Sequence, residues 1–384
     1  MKHFSSIPDP RKPQGLLHSL EAIFTIAILA VICGADEWTE IEEFGKSKQE
    51  FLEGLLELRH GIPSHDTFGR VFSVINAEAF AACFISWVSS LCEINGEIVN
   101  IDGKQLRHSF DTYSEKAAIH MVSAWANANE MVLGQAKVDE KSNEITAIPK
   151  LLDILDLAGS VVTIDAMGTQ KEIAEKIVDN EADYVLALKG NQGQLHDEVI
   201  EAFQRYSAKK KGEHSRQSSL GHGRIEERNC YVAPAAEFLS PNVLKRWKGL
   251  QAIVKIEAYV EYKNGKRQGE QVYEQRYYIS SLGLDPERMN EVIRSHWGIE
   301  TKLHWVLDIA FREDDSRVRK GHAPENLAML RHIALNKLKN EKSLKRGIKA
   351  KRKKRTASSI SSISDAPVER QTIPPLLATC STNG

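Results

Sequence analysis

Two short, largely apolar runs, each followed at once by an aspartate, constrain the fold of this chain more than any other feature. Residues 98–101 precede Asp102, and residues 161–164 precede Asp165. Runs of this kind are typical of buried strands, and the carboxyl ends of strands in an open α/β sheet border the ligand crevice. One aspartate in such a place is commonly a turn former or a helix N-cap. Two of them on one sheet favour a shared functional site.

The sequence around these runs predicts a mixed α/β sheet flanked by helices. Two further β-type runs follow the first one and are joined by a plausible hairpin at residues 127–130. Three consecutive strands followed by alternating helices and strands are typical of a mixed sheet. The remaining elements predicted here are strands at residues 118–125, 131–138 and 184–188 and helices at residues 147–157 and 169–180.

The regions on either side of the sheet differ from it in pattern. Residues 1–94 have helical apolar spacing and predict an N-terminal helical domain, in which Pro63 ends one helix and Ser64 caps the next. This connection is either half of a helix-turn-helix or an ordinary link between helices. Residues 191–284 are β-rich and predict an antiparallel β insertion, with strands at residues 224–232, 250–262 and 271–281. The sheet domain is then expected at residues 95–190 and 285–345, including long helices at residues 286–309 and 324–342, ahead of a basic and then disordered tail at residues 346–384.

The net charge of −1, from 51 basic and 52 acidic residues, conceals a strong asymmetry. Residues 337–355 hold eleven Lys and Arg and one acid, Glu341, so this stretch carries +10 and the rest of the chain −11. The balanced total excludes a uniformly basic nucleic-acid coat protein, whereas the basic stretch suits a polyanion. The alternative for this stretch is a solvated tail. Phosphate binding would make the affinity for nucleic acid fall steeply with salt.

Neither a membrane span nor a disulfide framework is indicated. The longest apolar run, at residues 22–33, is shorter than the roughly 20 residues that a spanning helix needs, and it begins too late for a signal peptide. The five cysteines are scattered without a Cys-x-x-Cys pair, which fits a reducing compartment and argues against a zinc ribbon. We therefore expect a cytoplasmic protein.

A third carboxylate, Glu300, stands in the segment HWGIETKLHW at residues 296–305. On a helix, His296, Glu300 and His304 share one face, with Trp297 and Trp305 beside them. Three convergent carboxylates without a cysteine cluster suit Mg²⁺ or Mn²⁺, and a pair of such ions activates a nucleophile for phosphoryl transfer. A zinc site on both histidines is disfavoured, because eight residues of helix separate them by about 12 Å.

Several motifs taken together resemble the H-repeat-associated insertion-sequence transposases of bacteria, which belong to the DDE transposases with a β-strand insertion. The motifs are NIDGK at residues 100–104, VDEKSNEI at 138–145, TIDAMGTQ at 163–170, LKGNQ at 188–192, GHGR at 221–224 and HWGIE at 296–300. The likeness extends from about residue 4 to residue 353. It implies an RNase H-like fold for the sheet domain. It also implies a catalytic triad of Asp102, Asp165 and Glu300 that holds Mg²⁺ or Mn²⁺.

The resemblance also implies an activity and its partners. A member of this family binds the terminal inverted repeats of its insertion sequence, cleaves the DNA and joins the ends to target DNA. A homodimer is expected in the DNA complex because two DNA ends must be joined together, and the N-terminal domain is expected to help recognise those ends. Two other functions stay open: a catalytically inactive DNA-binding relic or regulator, and an RNase H-like nuclease without strand transfer.

The chain departs from the wider β-insertion group around the glutamate, where relatives carry Tyr-x-x-Arg-x-x-x-Glu-x-x-x-x-x-x-Lys. Ile293, His296 and Leu307 occupy the Tyr, Arg and Lys positions here, so cleavage through a hairpin or by another route stays open. Trp297 is expected either to stack on an unpaired base or to pack in the core. The side chains expected to contact DNA are Arg294, His296, Trp297, Lys302, Lys349, Lys351, Arg352 and Lys353.

The sequence changes character again at about Arg355, where basic residues give way to Ser-rich sequence. Members of the family continue instead with an aromatic and acidic ending. We interpret this compositional break as a replaced ending, which the nucleotide reading frames downstream would test.

Overall fold

The computed structural model describes residues 2–14, 16–110, 117–139, 142–209, 214–221 and 223–357. Its N-terminal region is helical, as predicted, with α1 (Leu20–Ile32), α2 (Trp38–Ser47), α3 (Gln49–Glu53), α4 (His65–Val74) and α5 (Ala77–Ser89). Ser64 caps α4, as predicted, because its side chain accepts a hydrogen bond from the backbone N–H of Thr67.

The apolar run in α1 belongs to a helix that is buried on most of its surface. The ring of Phe24 lies 5.2 Å from that of Phe72 in α4 and 5.0 Å from that of Phe80 in α5. A helix that is apolar on all sides is typical of a protein core. In the part of the chain that the structure describes, no single helix is long and apolar enough to cross a membrane, and α4 and α5 would reach that limit only as a pair bent by 92°.

The central region forms β1 (Ile98–Gln105), β2 (His120–Ala126), β3 (Met131–Lys137), α6 (Glu144–Ile154), β4 (Val161–Ile164), α7 (Lys171–Asp179) and β5 (Asp183–Leu188). These strands lie in the order β3-β2-β1-β4-β5. Strands β1, β4 and β5 are parallel, whereas β2 pairs antiparallel with both β1 and β3. The predicted hairpin and mixed sheet are confirmed, and the arrangement is consistent with an RNase H-like fold.

The inserted region continues the same sheet. It contains α8 (Gly193–Lys209), β6 (His214–Gly221), β7 (Arg224–Pro234), α9 (Ala235–Phe238), α10 (Pro241–Arg246), β8 (Ala252–Tyr262) and β9 (Gln271–Ser280). The last strand, β9, pairs antiparallel with β5, so the full order is β3-β2-β1-β4-β5-β9-β8-β7-β6. The three strands predicted in this region are present. Helix α8 was not predicted, although the spacing of its buried Leu195, Val199, Ala202 and Phe203 is helical.

The chain then returns to helices that cross the sheet. These are α11 (Pro286–Ile299), a π-helical turn (Glu300–His304), α12 (Trp305–Phe311) and α13 (Ala323–Asn340). The helix predicted at residues 286–309 therefore exists, but a π turn interrupts it at Glu300, where the backbone N–H of Trp305 bonds to the Glu300 carbonyl. Short π segments inside α-helices frequently occur at functional sites.

Helix α13 joins the N-terminal helices to the sheet. The Asn326 side chain donates hydrogen bonds to the carbonyls of Phe72 and Ile75 in the N-terminal region, at 2.7 and 3.1 Å. Farther along the same helix, Asn336 accepts from the N–H of Val132 and donates to its carbonyl, both at 2.9 Å. Amides that satisfy buried backbone groups fix the position of the helix against both neighbours.

The C-terminal basic segment corrects one part of the sequence prediction. Residues 348–357 form a helix, α14 (Ile348–Ala357), and two of the four basic side chains expected to contact DNA point inward. Lys351 and Arg352 are only 8% and 3% exposed. Lys351 donates to the carbonyl of Leu338 at 2.8 Å. Lys349 and Lys353 are exposed. The disordered tail predicted beyond this helix, at residues 358–384, lies outside the described residues.

Candidate active site

Asp102 and Asp165 are neighbours at the end of the parallel part of the sheet. The parallel pairing of β1 with β4 ends at Ile101 and Ile164. Asp102 and Asp165 are the residues that directly follow this pair. Strand β1 does not end there, as the sequence suggested, because it continues to Gln105 through its antiparallel pairing with β2. The two aspartates are therefore neighbours because of the register in which β1 and β4 pair.

Asp165 sits in a tight turn that fixes its carboxylate. Its Oδ1 accepts hydrogen bonds from the backbone N–H groups of Met167 and Gly168, at 3.0 and 3.1 Å. The turn packs closely, because a Cβ at position 168 would overlap the Ile164 side chain and lie 2.7 Å from Ile148. Glycine is therefore required at this position for the close approach of the turn to β4 and α6. The second carboxylate oxygen of Asp165 makes no hydrogen bond within the described residues.

A histidine–carboxylate pair lies directly against Gly103, the residue after Asp102. The Nε2 of His120 and the Oε1 of Glu144 are 2.8 Å apart, and a Cβ on Gly103 would overlap Glu144. Glu144 is buried at the start of α6, and its charge helps to raise the pKa of Asp102. Sequence reasoning missed this pair as a neighbour of the site, although Glu144 stands in one of the motifs.

Lys104 ties the end of β1 to the helix that follows the third carboxylate. Its Nζ lies 2.7 Å from carboxylate oxygens of both Asp308, in α12, and Asp314. The Lys104 side chain is only 11% exposed, and the surrounding carboxylates raise its pKa although burial opposes this. Because the lysine stays charged, it holds α12 against the strand that carries Asp102.

Glu300 and His304 bring the third carboxylate to Asp102. The Nδ1 of His304 lies 3.5 Å from Asp102 Oδ2 and 3.5 Å from Glu300 Oε2. Ligand atoms of these three residues all lie within 4.8 Å of one another. Burial and the neighbouring Glu300 raise the pKa of Asp102 to about 8, whereas the nearby His304 lowers the pKa of Glu300. Carboxylates that repel each other in this way suit a divalent cation, which favours both ionised forms.

One cleft of about 880 Å³ contains all three acids. Asp102 and Asp165 come from adjacent strands and Glu300 from the helix above them. The wall also carries cations that sequence reasoning missed, Lys189 after β5 and Arg276 in β9. Arg276 is a neighbour of the acids because β9 pairs with β5, whereas Lys189 directly follows β5, which lies beside β4. The donor set therefore fits hard cations, and the wall also carries Lys189 and an ion pair of Arg276 with Glu274, at 2.7 Å.

His296 is held by a chain of hydrogen bonds one helical turn before Glu300. Its Nδ1 lies 2.8 Å from Thr163 Oγ1, and that hydroxyl donates to Asn100 Oδ1 at 2.8 Å. The amide of Asn100 then donates to the carbonyl of Ser295 at 2.8 Å. Burial lowers the pKa of His296. The network fastens α11 to both strands that carry the aspartates, and His296 also lines the cleft.

The other expected DNA contacts near the site differ in exposure. Trp297 and Trp305 are 51% and 61% exposed, so neither is a core residue. Trp297 lies at the mouth of the cleft, with the Arg276 guanidinium 5.1 Å from its ring. Arg294 is exposed, whereas Lys302 forms an ion pair of 3.1 Å with Glu130. The exposed ring is available for stacking on a base.

Asp102 makes the stability of the cation-free protein depend on pH. The folded protein holds the Asp102 proton up to a pKa of about 8, whereas the unfolded chain releases it near the ordinary value of 3.8. Between these values the folded state binds more protons, so the free energy of unfolding falls as pH rises, by at most about 1.4 kcal/mol per pH unit. The lowered pKa of Glu300 affects the free energy of unfolding only below the ordinary value of 4.5. It therefore does not change the fall expected between about pH 5 and pH 8.

We therefore expect the melting temperature of chelator-treated protein to fall between about pH 5 and pH 8, and Asp102→Asn to show a smaller fall. Thermal unfolding followed by circular dichroism measures both slopes. Asp285→Asn is the matched control, because Asp285 caps α11 outside the cleft. Equal slopes for Asp102→Asn and the wild type would contradict the assignment.

Comparisons with known proteins identify the family. The family described as Transposase DDE domain matches residues 94–337, and the family described as DDE_Tnp_1-associated matches residues 1–88. "Putative transposase YncI" of Escherichia coli O157:H7 is 45% identical over 92% of this chain and 90% of its own length. "H repeat-associated putative transposase YhhI" of Escherichia coli K12 is 42% identical over 92% of this chain and 94% of its own length. The chain belongs to the DDE transposase family, and within that family to the H repeat-associated transposases.

Proposed function

We propose that this protein binds the terminal inverted repeats of its insertion sequence and catalyses metal-dependent DNA cleavage and strand transfer. The observation that carries the proposal is the meeting of Asp102, Asp165 and Glu300 in one cleft. They come from two strands and a helix that are far apart in sequence. A solvated acidic face would not require a buried aspartate whose pKa is raised to about 8.

The three carboxylates would hold Mg²⁺ or Mn²⁺, with Asp102 between the other two. When bound, such ions supply an activated hydroxyl nucleophile and stabilise the leaving oxygen of a phosphodiester. The protein contributes the positions of these groups. The turn at Gly168 presents Asp165, the hydrogen-bonded His296 holds α11, and Lys104 holds α12. Near the mouth, Arg276 and Lys189 offer positive charge to the phosphates of a DNA strand.

The DNA surface we propose extends outward from this mouth. Arg294 and Trp297 are exposed beside the cleft, and Lys349 and Lys353 are exposed on α14. Phosphate contacts from the three cations and stacking by the tryptophan need no rearrangement of buried groups. His296 in α11 and Lys302 in the π turn remain candidates for DNA contacts, although both already have protein partners.

The domain boundaries inferred from the sequence are retained in the proposal. Residues 1–94 would contribute to recognition of the element's ends, and residues 95–190 and 285–345 would carry catalysis. Residues 191–284 extend the sheet beside the cleft and would support the DNA, and residues 346–357 would add basic side chains. A homodimer that holds two DNA ends would act in the bacterial cytoplasm on nucleoid DNA.

The full-length protein incubated with DNA that carries the inverted repeats flanking its gene tests the proposal. With Mg²⁺ or Mn²⁺ we expect cleavage at the repeat ends, and with a chelator we expect binding without cleavage, because the cations are needed only for the chemical step. We also expect the affinity to fall steeply with salt concentration. Denaturing gels measure cleavage, and electrophoretic mobility shifts measure binding.

DNA of the same length with scrambled repeats is the control. Cleavage of both DNAs at equal rates would indicate a nuclease without strand transfer. Specific binding that is never followed by cleavage would indicate an inactive DNA-binding relic or regulator. Failure to distinguish the repeat ends from scrambled DNA in binding and in cleavage would refute the proposal as a whole.

A further inference from the structure

The cluster of Asp102, Glu300 and His304 contains a nitrogen atom among its oxygens, and this atom does not form an ordinary hydrogen bond. His304 Nδ1 lies 3.5 Å from each of the two carboxylate oxygens that face it. Hydrogen bonds from N–H to oxygen are typically about 2.7–3.2 Å long. Two ligands at about 2.1 Å from one ion lie roughly 3.0–3.5 Å apart at octahedral or tetrahedral angles. The observed 3.5 Å lies at the upper end of this range and accommodates a shared cation.

The position of the ring supports the same role. The His304 side chain is only 7% exposed, and its Nε2 is buried without a hydrogen-bond partner among the described residues. Ligating histidines usually donate their other ring N–H to a partner, so the support comes from the burial of the ring and the direction of Nδ1. The π turn from Glu300 to His304 puts both side chains on the same side of the helix, facing β1. Nδ1 is the polar atom of the ring that faces the cleft acids.

The other two histidines near the acids each have a ring nitrogen close to a protein oxygen, as a hydrogen bond for His296 and as an ion-pair contact for His120. His296 Nδ1 contacts Thr163 Oγ1 at 2.8 Å, and His120 Nε2 contacts Glu144 Oε1 at 2.8 Å. Within the described part of the chain, only one group of histidine, cysteine and acidic residues has the spacing of a metal site, and its histidine is His304. His296 and His120 are therefore matched controls for His304.

Asp165 is not part of this group. The two cation positions that the proposed function requires would then differ, with oxygens of Asp102 and Asp165 at one and an additional nitrogen at the other. Imidazole nitrogen is a better ligand for first-row transition metals, among which Mn²⁺ is the weakest binder, than for Mg²⁺, which prefers oxygen ligands. A histidine at one position therefore changes which ion that position selects.

We propose that His304 Nδ1 is a ligand of the cation held between Asp102 and Glu300, and that this position selects Mn²⁺ over Mg²⁺. The inference rests on the proposed function for the presence of a cation, and it adds to the three carboxylates a fourth protein ligand. The carboxylate pair supplies negative charge, and the histidine supplies a neutral donor that the family triad does not include.

Electron spin echo envelope modulation of Mn²⁺ bound to the full-length protein tests the inference without any activity measurement. We expect ¹⁴N modulation from a directly bonded imidazole, and we expect its pattern to change when the protein is produced with [¹⁵N]histidine. His304→Leu, of similar volume, should lose the modulation and bind Mn²⁺ at least about tenfold more weakly, with a smaller loss for Mg²⁺. His296→Gln and His120→Gln should keep the modulation.

Bound Mn²⁺ whose spectrum does not respond to [¹⁵N]histidine would overturn the inference, and so would modulation that persists in His304→Leu and disappears in one of the control variants. The labelled wild type decides the question even if His304→Leu does not fold. The outcome is separable from the proposed function. Nitrogen modulation without DNA cleavage would refute only the activity, and cleavage without nitrogen modulation would refute only the role of His304.

Discussion

Asp165→Asn is expected to lower the rate of metal-dependent DNA cleavage by about 10³-fold or more while leaving DNA affinity nearly unchanged. The substitution removes one negative charge from the cleft. The retained carbonyl oxygen can still accept the hydrogen bonds that Asp165 Oδ1 receives from Met167 and Gly168. The turn therefore keeps its geometry, and the loss would report on the cation rather than on folding. Cleavage of terminal-repeat DNA in Mg²⁺, with binding measured in parallel, provides both values.

The control for this substitution has the same local structure outside the cleft. Asp285 Oδ1 accepts from the N–H groups of Glu287 and Arg288 at the start of α11, which is a similar turn, and Asp285 does not line the cleft. Asp285→Asn should cleave at the wild-type rate within about twofold, because exposed caps tolerate asparagine. Wild-type cleavage by Asp165→Asn would remove Asp165 from the site, and equal losses in both variants would point to a folding defect.

Arg352→Ala is expected to lower the free energy of unfolding by about 3–5 kcal/mol, because it removes one partner of a buried ion pair. The Arg352 guanidinium donates to the carbonyls of Val31 and Ala35 and to Asp36 Oδ1, at distances between 2.8 and 3.1 Å. It also donates to the carbonyl of Ala310 at the end of α12. The variant would leave a largely buried carboxylate and the ends of two helices without their cation.

Lys353→Ala is the neighbouring control. Lys353 is exposed on the same helix, and we expect a change within about 0.5 kcal/mol. Urea unfolding followed by circular dichroism measures both variants. Adding Asp36→Asn to Arg352→Ala should restore part of the loss, because the carboxylate left behind is then neutral. Arg352→Ala with wild-type stability would mean that the contacts of α14 do not contribute to folding.

The C-terminal segment illustrates why local sequence was insufficient there. Residues 337–355 include eleven basic residues among nineteen, and this composition predicts a phosphate-binding or solvated tail. The burial of Arg352 depends on Val31 and Asp36, which lie more than 300 residues earlier in the chain. A charge pattern counts all these cations alike, whereas the fold places Arg352 inside and Lys353 in solvent.

The insertion shows the same limit in another form. Its strands were predictable because their alternation and flanking turns are local signals. It was not predictable that β9 would pair with β5 and so bring Arg276 to the wall of the cleft, because a strand's partner is not encoded in its own period. Helix α8 was missed for a different reason, since its helical apolar spacing was present in the sequence and was not used.

The sequence by itself determined the mixed sheet, the N-terminal helices and the family, and it predicted two aspartates directly after apolar β-type runs of one sheet, because apolar period and motif are properties of the chain in order. The roles of Asp102, Asp165 and Glu300 in catalysis stay predictions. Only the tertiary structure decided that Glu300 reaches Asp102 through a π turn, that His304 stands 3.5 Å from both carboxylates, and that two of the basic residues of α14 are buried. Those distances depend on how the helices dock on the sheet, and docking is set by packing and hydrogen bonds between residues that are far apart in the sequence.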